Sequence, residues 1–212
     1  MLDPTAISSQ NNAAARHAGC PLFVEFANDD LRDFERRLSL CKDKIAPYCT
    51  TIETANDQRS MDRIWGSRKG ALNNIMRITV GSRRPIGLIE DTVVKTSFLL
   101  DYVLYLHTMY PENKLDYVIY GHLGDANLHT RPLIDLNSPS AVQLIESFAD
   151  QVFNKVIKNG RTISGEHGDG LARVGYIYGL YGEAIFRIFL QLKQSFDPKY
   201  LMNPGKKIAK SR

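Results

Sequence analysis

Apolar residues recur at helical spacing along much of the chain. After Asp30, an apolar stripe on a 3.6-residue period predicts a helix that ends at about Lys44. The same spacing predicts helices over residues 61–74, 96–109 and 138–158, and Gly160 is a natural stop for the last of these. Two further helices are predicted near the C-terminus, over residues 176–182 and 183–195.

Shorter stretches are rich in β-branched and apolar residues, and they predict strands at residues 21–26, 49–53, within 85–94, 115–122 and 128–133. The last two are joined by Gly-Asp-Ala-Asn at 124–127, residue types typical of a hairpin turn. Together the elements predict an α+β fold, an antiparallel sheet of four or more strands with helices mainly on one face, followed by a C-terminal helical segment.

Residues 1–20 are polar and alanine-rich, and we interpret them as a lead-in segment that includes disorder. The single domain is then expected over residues 21–212. No apolar run reaches the roughly 20 residues of a membrane span, and the N-terminus lacks the features of a signal peptide. The expected location is the cytoplasm, with peripheral association with the inner membrane left open.

Composition excludes several classes of protein. Of the 212 residues, 43% are hydrophobic and 24% charged, as in ordinary globular proteins. The net charge of +4 is modest and no aromatic platform accompanies the basic residues, so a nucleic-acid partner is not expected. Three cysteines without CxxC spacing support neither a disulfide framework nor a zinc ribbon. The chain also lacks Walker, GxGxxG, GxSxG and HExxH motifs.

Two glycine-rich stretches carry the candidate chemistry, YGHLGDANLH at 120–129 and SGEHGDG at 164–170. If Leu123 and Leu128 flank a four-residue turn, His122 and His129 lie directly opposite one another, with Cβ atoms about 4.5 to 5.5 Å apart. Two imidazoles at that separation suit one zinc ion, and Glu166 is then the expected third ligand. The alternative is that the two histidines are separate polar residues at a sheet edge.

His167 is the candidate general base, because an imidazole accepts a proton readily near neutral pH. Its alternative role is a hydrogen bond that fastens the glycine loop. Arg68, in the sequence WGSR, could pair with a substrate carboxylate. The alternative for Arg68 is an ordinary surface arginine.

Five features occur in the order found in one known family. They are Trp65-x-x-Arg68, Ile89-Glu90-Asp91 ahead of a helix, the two histidine motifs, and Asn203-Pro204-Gly205-Lys206. The stretch from Pro21 to the C-terminus thereby resembles the substrate (cap) domain of FAD-dependent 2-hydroxy-acid dehydrogenases of the vanillyl-alcohol-oxidase type. This family includes D-lactate dehydrogenase, D-2-hydroxyglutarate dehydrogenase and the flavin subunit of glycolate oxidase. The resemblance implies a ferredoxin-like cap domain.

The resemblance also implies a role for each motif residue. A divalent metal, with zinc favoured, is held by His122, His129 and Glu166, while His167 takes the proton of the substrate 2-hydroxyl as a hydride passes to FAD. Arg68 grips the substrate carboxylate. The residues expected to lie against the flavin are Gly165, Gly168 and Asn203.

The family places a large FAD-binding domain ahead of this one, and 212 residues leave no room for it. FAD is therefore expected from a separate domain or subunit. Leu72 and Ile89 are apolar where hydroxyglutarate-type relatives hold a second carboxylate, which favours a D-2-hydroxy acid such as lactate or glycolate. A respiratory electron acceptor and a homodimer are left open. The alternative function is a stand-alone metal-binding module or an inactive remnant of such an enzyme.

Overall fold

A computed structural model describes residues 21–27 and 29–208. The chain forms two compact units, Met1–Arg77 and Ile78–Arg212. The expected lead-in segment, residues 1–20, lies outside the described residues. None of the described helices has the length and apolar character that crossing a membrane requires.

The first unit contains two helices, α1 at Leu31–Ile45 and α2 at Gln58–Met76. Both predicted helices are confirmed, and each begins at an aspartate that caps free amide groups: Asp30 for α1 and Asp57 for α2. The strands predicted at residues 21–26 and 49–53 are wrong, because neither stretch pairs with a strand among the described residues. A β-branched run needs a partner strand to become a sheet.

The sheet of the second unit is built around one central strand. Its four described strands are β1 at Arg84–Pro85, β2 at Thr92–Val93, β3 at Tyr117–His122 and β4 at Asn127–Ile134. All pair antiparallel with β4, β3 along one edge and β1 and β2 at the two ends of the other edge. The predicted antiparallel sheet is confirmed, although two of its strands are only two residues long.

Two helices cover this sheet and form the core with it. They are α3 at Leu99–Glu112 and α4 at Ala141–Lys158. The buried side chains that they share with the sheet include Tyr102, Leu106, Tyr110, Leu128, Phe148, Val152 and Phe153. Burial of such large apolar side chains is the main source of stability in a domain of this kind. The α+β class predicted from the sequence is therefore confirmed.

The C-terminal helical segment is also present. A single-turn helix, α5 at Gly170–Arg173, follows the second glycine-rich motif, and α6 spans Ile177–Phe196. Gly182 interrupts α6 with non-helical angles, φ 75° and ψ 171°, at the predicted break between two helices. Pro111 lies in the last turn of α3, so that helix continues past its predicted end at Met109.

The register of the β3–β4 hairpin differs from the prediction. His122 pairs with Asn127, and His129 pairs with Tyr120, so the two histidines are not directly opposite. The reason is Ala126, whose left-handed angles of φ 49° and ψ 34° close the turn one residue earlier than the composition suggested. Because side chains alternate along a strand, the two histidines still share one face of the sheet as diagonal neighbours.

Candidate metal and substrate site

Three imidazole rings of the second unit converge on one carboxylate oxygen. The Oε1 atom of Glu166 lies 3.0 Å from Nε2 of His129, 3.5 Å from Nε2 of His122 and 3.6 Å from Nε2 of His167. The rings of His129 and His167 are stacked, with centroids 4.9 Å apart, while the ring of His122 is nearly perpendicular to that of His129. The two motifs therefore form one site.

The site is buried on one side and open on the other. The side chain of His129 is 3% exposed because β4 is the central strand of the sheet, whereas His122, His167 and Glu166 are 40%, 42% and 46% exposed. Reactive metal sites in proteins usually keep such an open position for water or substrate. This arrangement leaves room for a small molecule beside the nitrogen atoms.

The loop that carries Glu166 and His167 is held by Asp91. The Asp91 carboxylate accepts hydrogen bonds from the backbone amides of Glu166 and His167, from the Ser164 hydroxyl and from the Asn127 amide, at 2.8 to 3.1 Å. Burial alone raises the pKa of Asp91, but these donors outweigh it and hold that pKa below its usual value. An Asp91 oxygen lies within 4.8 Å of ligand atoms of His129, Glu166 and His167, yet the oxygens of Asp91 already accept the hydrogen bonds given above.

Gly165 brings the loop into close contact with the sheet. A Cβ atom at this position would lie 2.3 Å from Nδ2 of Asn127 and 2.7 Å from Cγ2 of Val93, so a larger residue cannot be accommodated without movement. This packing accounts for the glycine. Gly168 has φ +82° and open space around it. The expected contact of both glycines with a flavin stays a prediction.

A buried ion pair, Glu90 with Arg131, lies beside the imidazoles and was not foreseen from the sequence. Nη2 of Arg131 is 2.7 Å from Oε2 of Glu90, and Nε of Arg131 donates to the hydroxyl of Tyr120 at 2.8 Å. Oε1 of Glu90 is 3.3 Å from Nδ1 of His167. Strand alternation could have placed Arg131 near the site from the sequence alone, because Arg131 is two residues beyond His129 on β4 and therefore lies on the same face of the sheet.

The donor set fits a divalent cation. Burial lowers the pKa of His129, an effect that the carboxylates of Glu90 and Glu166 oppose, so the ring is neutral at neutral pH, as a metal ligand must be. Its Nδ1 atom is buried and has no hydrogen-bond partner among the described residues, which is unusual for a polar atom. Imidazole nitrogen and carboxylate oxygen are ligands that zinc accepts.

Two further residues predicted for the site belong to other elements of the chain. Arg68 belongs to α2 of the first unit, where its guanidinium lies 5.3 Å from the centre of the Trp65 ring. Asn203 follows α6 in a left-handed conformation, φ 44°. Their roles toward a substrate carboxylate and a flavin stay predictions.

Comparison with known proteins identifies the family. Residues 1–207 match the model of the FAD linked oxidases, C-terminal domain. The chain belongs to this family. This chain is 31% identical over 190 residues to D-2-hydroxyglutarate dehydrogenase of Escherichia coli (strain K12), covering 86% of this chain. It is 28% identical over 179 residues to glycolate oxidase subunit GlcD of Bacillus subtilis, and 30% identical over 186 residues to a probable mitochondrial D-lactate dehydrogenase of Danio rerio.

These relatives are much longer than this chain. The matched region is 18% of the Escherichia coli protein, 36% of the Bacillus subtilis subunit and 37% of the Danio rerio protein. The chain therefore spans between 18% and 37% of the length of these three relatives. All these relatives are named as dehydrogenases or oxidase subunits.

Proposed function

We propose that this domain is the metal-binding and substrate-binding part of an FAD-dependent oxidoreductase that converts a D-2-hydroxy acid into the corresponding 2-oxo acid. The observation that carries the proposal is the convergence of three imidazole nitrogens on Oε1 of Glu166, at 3.0 to 3.6 Å, with one open side. Family membership supports the same reaction class, because the relatives are named for hydroxy-acid substrates.

His122, His129 and Glu166 are the proposed metal ligands. Zinc is the favoured ion, since two nitrogen ligands and one carboxylate leave an open position in reactive zinc sites. When bound, a divalent cation supplies a positive charge that favours deprotonation of a nearby hydroxyl group. His129, whose side chain is 3% exposed, is the ligand held within the sheet. The more exposed ligands, His122 and Glu166, border the side from which a substrate would arrive.

His167 is the proposed general base. Its Nε2 atom lies 3.6 Å from the same Glu166 oxygen that the Nε2 atoms of His122 and His129 face. A hydroxyl group bound beside that oxygen would therefore lie within reach of the His167 imidazole. His167 would accept the hydroxyl proton as the bond from hydrogen to C2 breaks. FAD, bound mainly by a separate domain or subunit, would supply the acceptor of the hydride.

We favour a small monocarboxylate, of the lactate or glycolate type, as the substrate. Arg131 is already neutralised by Glu90 and bonded to Tyr120, so it is not free to hold a second substrate carboxylate. The side chain of Ile89 is apolar and 1% exposed in the core, so it offers no polar group to a second carboxylate either. Arg68 remains the proposed partner of the single carboxylate.

Reduction of a bound flavin by the substrate tests this function. The chain is expressed together with an FAD-binding domain of the same family, and the flavin absorbance is followed after addition of D-lactate, glycolate or D-2-hydroxyglutarate. We expect a yellow complex that bleaches with D-lactate or glycolate. His167→Asn should keep the yellow colour and bleach at least about 100-fold more slowly, because it lacks the general base.

Two outcomes contradict the proposal. A yellow complex that none of the three acids bleaches would show that this domain does not bind a hydroxy acid productively. Failure to form a flavin complex, with a metal still bound, would favour the alternative function, a metal-binding module without oxidoreductase activity.

A further inference from the structure

We propose that Glu90 is a positioning residue that fixes the tautomers of both His129 and His167, by accepting a hydrogen bond from the Nδ1–H group of each ring. The two histidines have the roles of metal ligand and general base in the proposed function, and the inference rests on that function for those roles. Glu90 itself has no assigned part in it.

The two rings are oriented in the same way between two carboxylates. Oε1 of Glu90 lies 3.3 Å from Nδ1 of His167, and Oε2 of Glu90 lies 4.0 Å from Nδ1 of His129. On the other edge, the Nε2 atoms of the same rings lie 3.6 and 3.0 Å from Oε1 of Glu166. The rings are stacked with an interplanar angle of 15°, so each presents its Nδ1 edge to Glu90.

Glu90 is held firmly enough to serve this purpose. Its side chain is 10% exposed and is paired with Arg131, which is itself fixed by Tyr120. Its backbone carbonyl accepts a hydrogen bond from Arg173 at 2.8 Å, and the same guanidinium donates to the carbonyl of Gly168 at 3.0 Å. Arg173 thereby ties the backbone of Glu90 to the loop that carries His167.

One buried nitrogen lacks a hydrogen bond at this contact. Nδ1 of His129 is buried without a hydrogen-bond partner in the part of the chain that the structure describes, and it lies 4.0 Å from Oε2 of Glu90, which is paired with Nη2 of Arg131 at 2.7 Å. Buried polar atoms in proteins are rarely left unpaired. A movement of about 1 Å would let the Nδ1–H group of His129 donate to Oε2 of Glu90, because a carboxylate oxygen can accept more than one hydrogen bond.

The chemical consequence follows from the nature of a carboxylate. An ionised carboxylate can only accept hydrogen bonds, and Glu166 competes with Glu90 for the ring proton from the Nε2 side. When Glu166 is engaged by a cation, Glu90 is the carboxylate left to accept, and each ring then carries its proton on Nδ1. Nε2 then keeps its lone pair, which His129 needs to bind a cation and His167 needs to accept a proton. Metal-ligating histidines in proteins are commonly oriented by such a carboxylate.

Nitrogen-15 NMR of the metal-free full-length chain with Glu166→Ala, which removes the competing carboxylate at the Nε2 edges, reads the tautomers at about pH 8, where ordinary imidazoles are neutral. We expect both His129 and His167 to be protonated on Nδ1. When Glu90→Gln is added, the amide can also donate, so His167 should lose this preference, and Glu90→Asp should restore it in part. Asp116→Asn removes a half-buried carboxylate that pairs with Arg83 at 3.1 Å, and it should leave both tautomers unchanged.

Zinc titration supplies the second measurement. Glu90→Gln should bind zinc about 10- to 100-fold more weakly than the native chain, as expected when a carboxylate behind a ligand is lost, and Asp116→Asn should bind as the native chain does. If Glu90→Gln changes neither the zinc affinity nor the two tautomers, the inference is overturned while the proposed function stays intact.

The two proposals fail in different ways. A native chain that binds no zinc contradicts the proposed metal site, while the tautomers in the Glu166→Ala chain still decide the role of Glu90. If the chain with Glu90→Gln does not fold, the Glu166→Ala spectrum decides alone, because protons on Nε2 of His129 and His167 would overturn the inference.

Discussion

At the scale of single residues, the candidate site depends on Asp91, which is buried and has φ 65°. Its side chain is of a type that can bind a metal, but its oxygens instead accept hydrogen bonds from the loop that carries Glu166 and His167. A non-glycine residue in this conformation is strained by about 1 to 3 kcal/mol. The hydrogen bonds compensate for that strain and define the loop.

We therefore expect Asp91→Ala to lower the free energy of unfolding by at least about 3 kcal/mol, because four buried or part-buried donors lose a charged acceptor. Urea unfolding measures the change. The control is Asp135→Ala, which removes a less buried carboxylate that accepts from Ser82 and from the amide of Asn137, and it should cost about 1 kcal/mol or less. Equal losses in the two variants would contradict the role assigned to Asp91.

The histidines and Glu166 were predicted from their types and spacing, and the structure brings them together, while their part in a metal site stays a prediction. The sequence did not predict Glu90 and Arg131 as a pair. A buried salt bridge depends on how the segment before β2 runs beside β4, and that path is a tertiary property. Strand alternation places Arg131 on the face of His129, but it does not reveal the partner of Arg131.

At the scale of elements, the long periodic helices were the most predictable part of the fold. The helix over residues 138–158 is confirmed as α4, Ala141–Lys158, because an unbroken apolar stripe leaves few alternatives. The hairpin register could not be predicted, since it depends on the left-handed conformation of Ala126, a residue that rarely adopts it. Strands of two residues, such as β1 and β2, carry no periodicity at all.

The end of α6 is fixed by Asp197, and this contact predicts a pH dependence. The Lys193 ammonium, 2.6 Å away, is the main cause that holds the pKa of Asp197 below its usual range, and the amides of Leu201 and Met202 donate to the same carboxylate. A lowered folded-state pKa means that the stabilisation is complete above the unfolded value of about 3.9 and is lost as the pH falls through the folded value.

Asp197→Asn should therefore lower the thermal midpoint at neutral pH, and the difference from the native chain should shrink below about pH 4. Thermal unfolding followed by circular dichroism at a series of pH values measures it. Asp150→Asn is the control, because Asp150 is exposed on α4 and asparagine keeps an oxygen that accepts the hydrogen bond of the Tyr176 hydroxyl, so the difference at neutral pH should be smaller. If the difference in thermal midpoint between Asp197→Asn and the native chain stays constant down to pH 3, about one unit below the unfolded pKa, the role assigned to Asp197 is contradicted.

At the scale of the whole molecule, all of the proposed metal ligands and the proposed base lie in the second unit, Ile78–Arg212. The two motifs, the segment with Glu90 and Asp91, and the core of α3 and α4 belong to the same unit. A unit with its own apolar core can fold independently of the rest of the chain. The metal site should therefore not need the first unit.

We accordingly expect residues 78–212, produced without the first unit, to bind zinc with the affinity of the full chain. Isothermal titration calorimetry of both forms makes the comparison. Circular dichroism of the shortened chain, in the absence of metal, first establishes that it is folded. A folded second unit that binds zinc at least about 10-fold more weakly, a difference of 1.4 kcal/mol, would place a necessary ligand in the first unit.

The most direct test of the central claim is the metal content of the purified full chain, measured by mass spectrometry after exposure to zinc and removal of the excess. The account predicts about one ion per native chain, and less than about a tenth of that for His129→Ala or for Glu166→Ala. His107→Ala, which removes a histidine on α3 that hydrogen-bonds Tyr117, should keep the full content. A native chain without bound metal, or a full content in His129→Ala, would contradict the account.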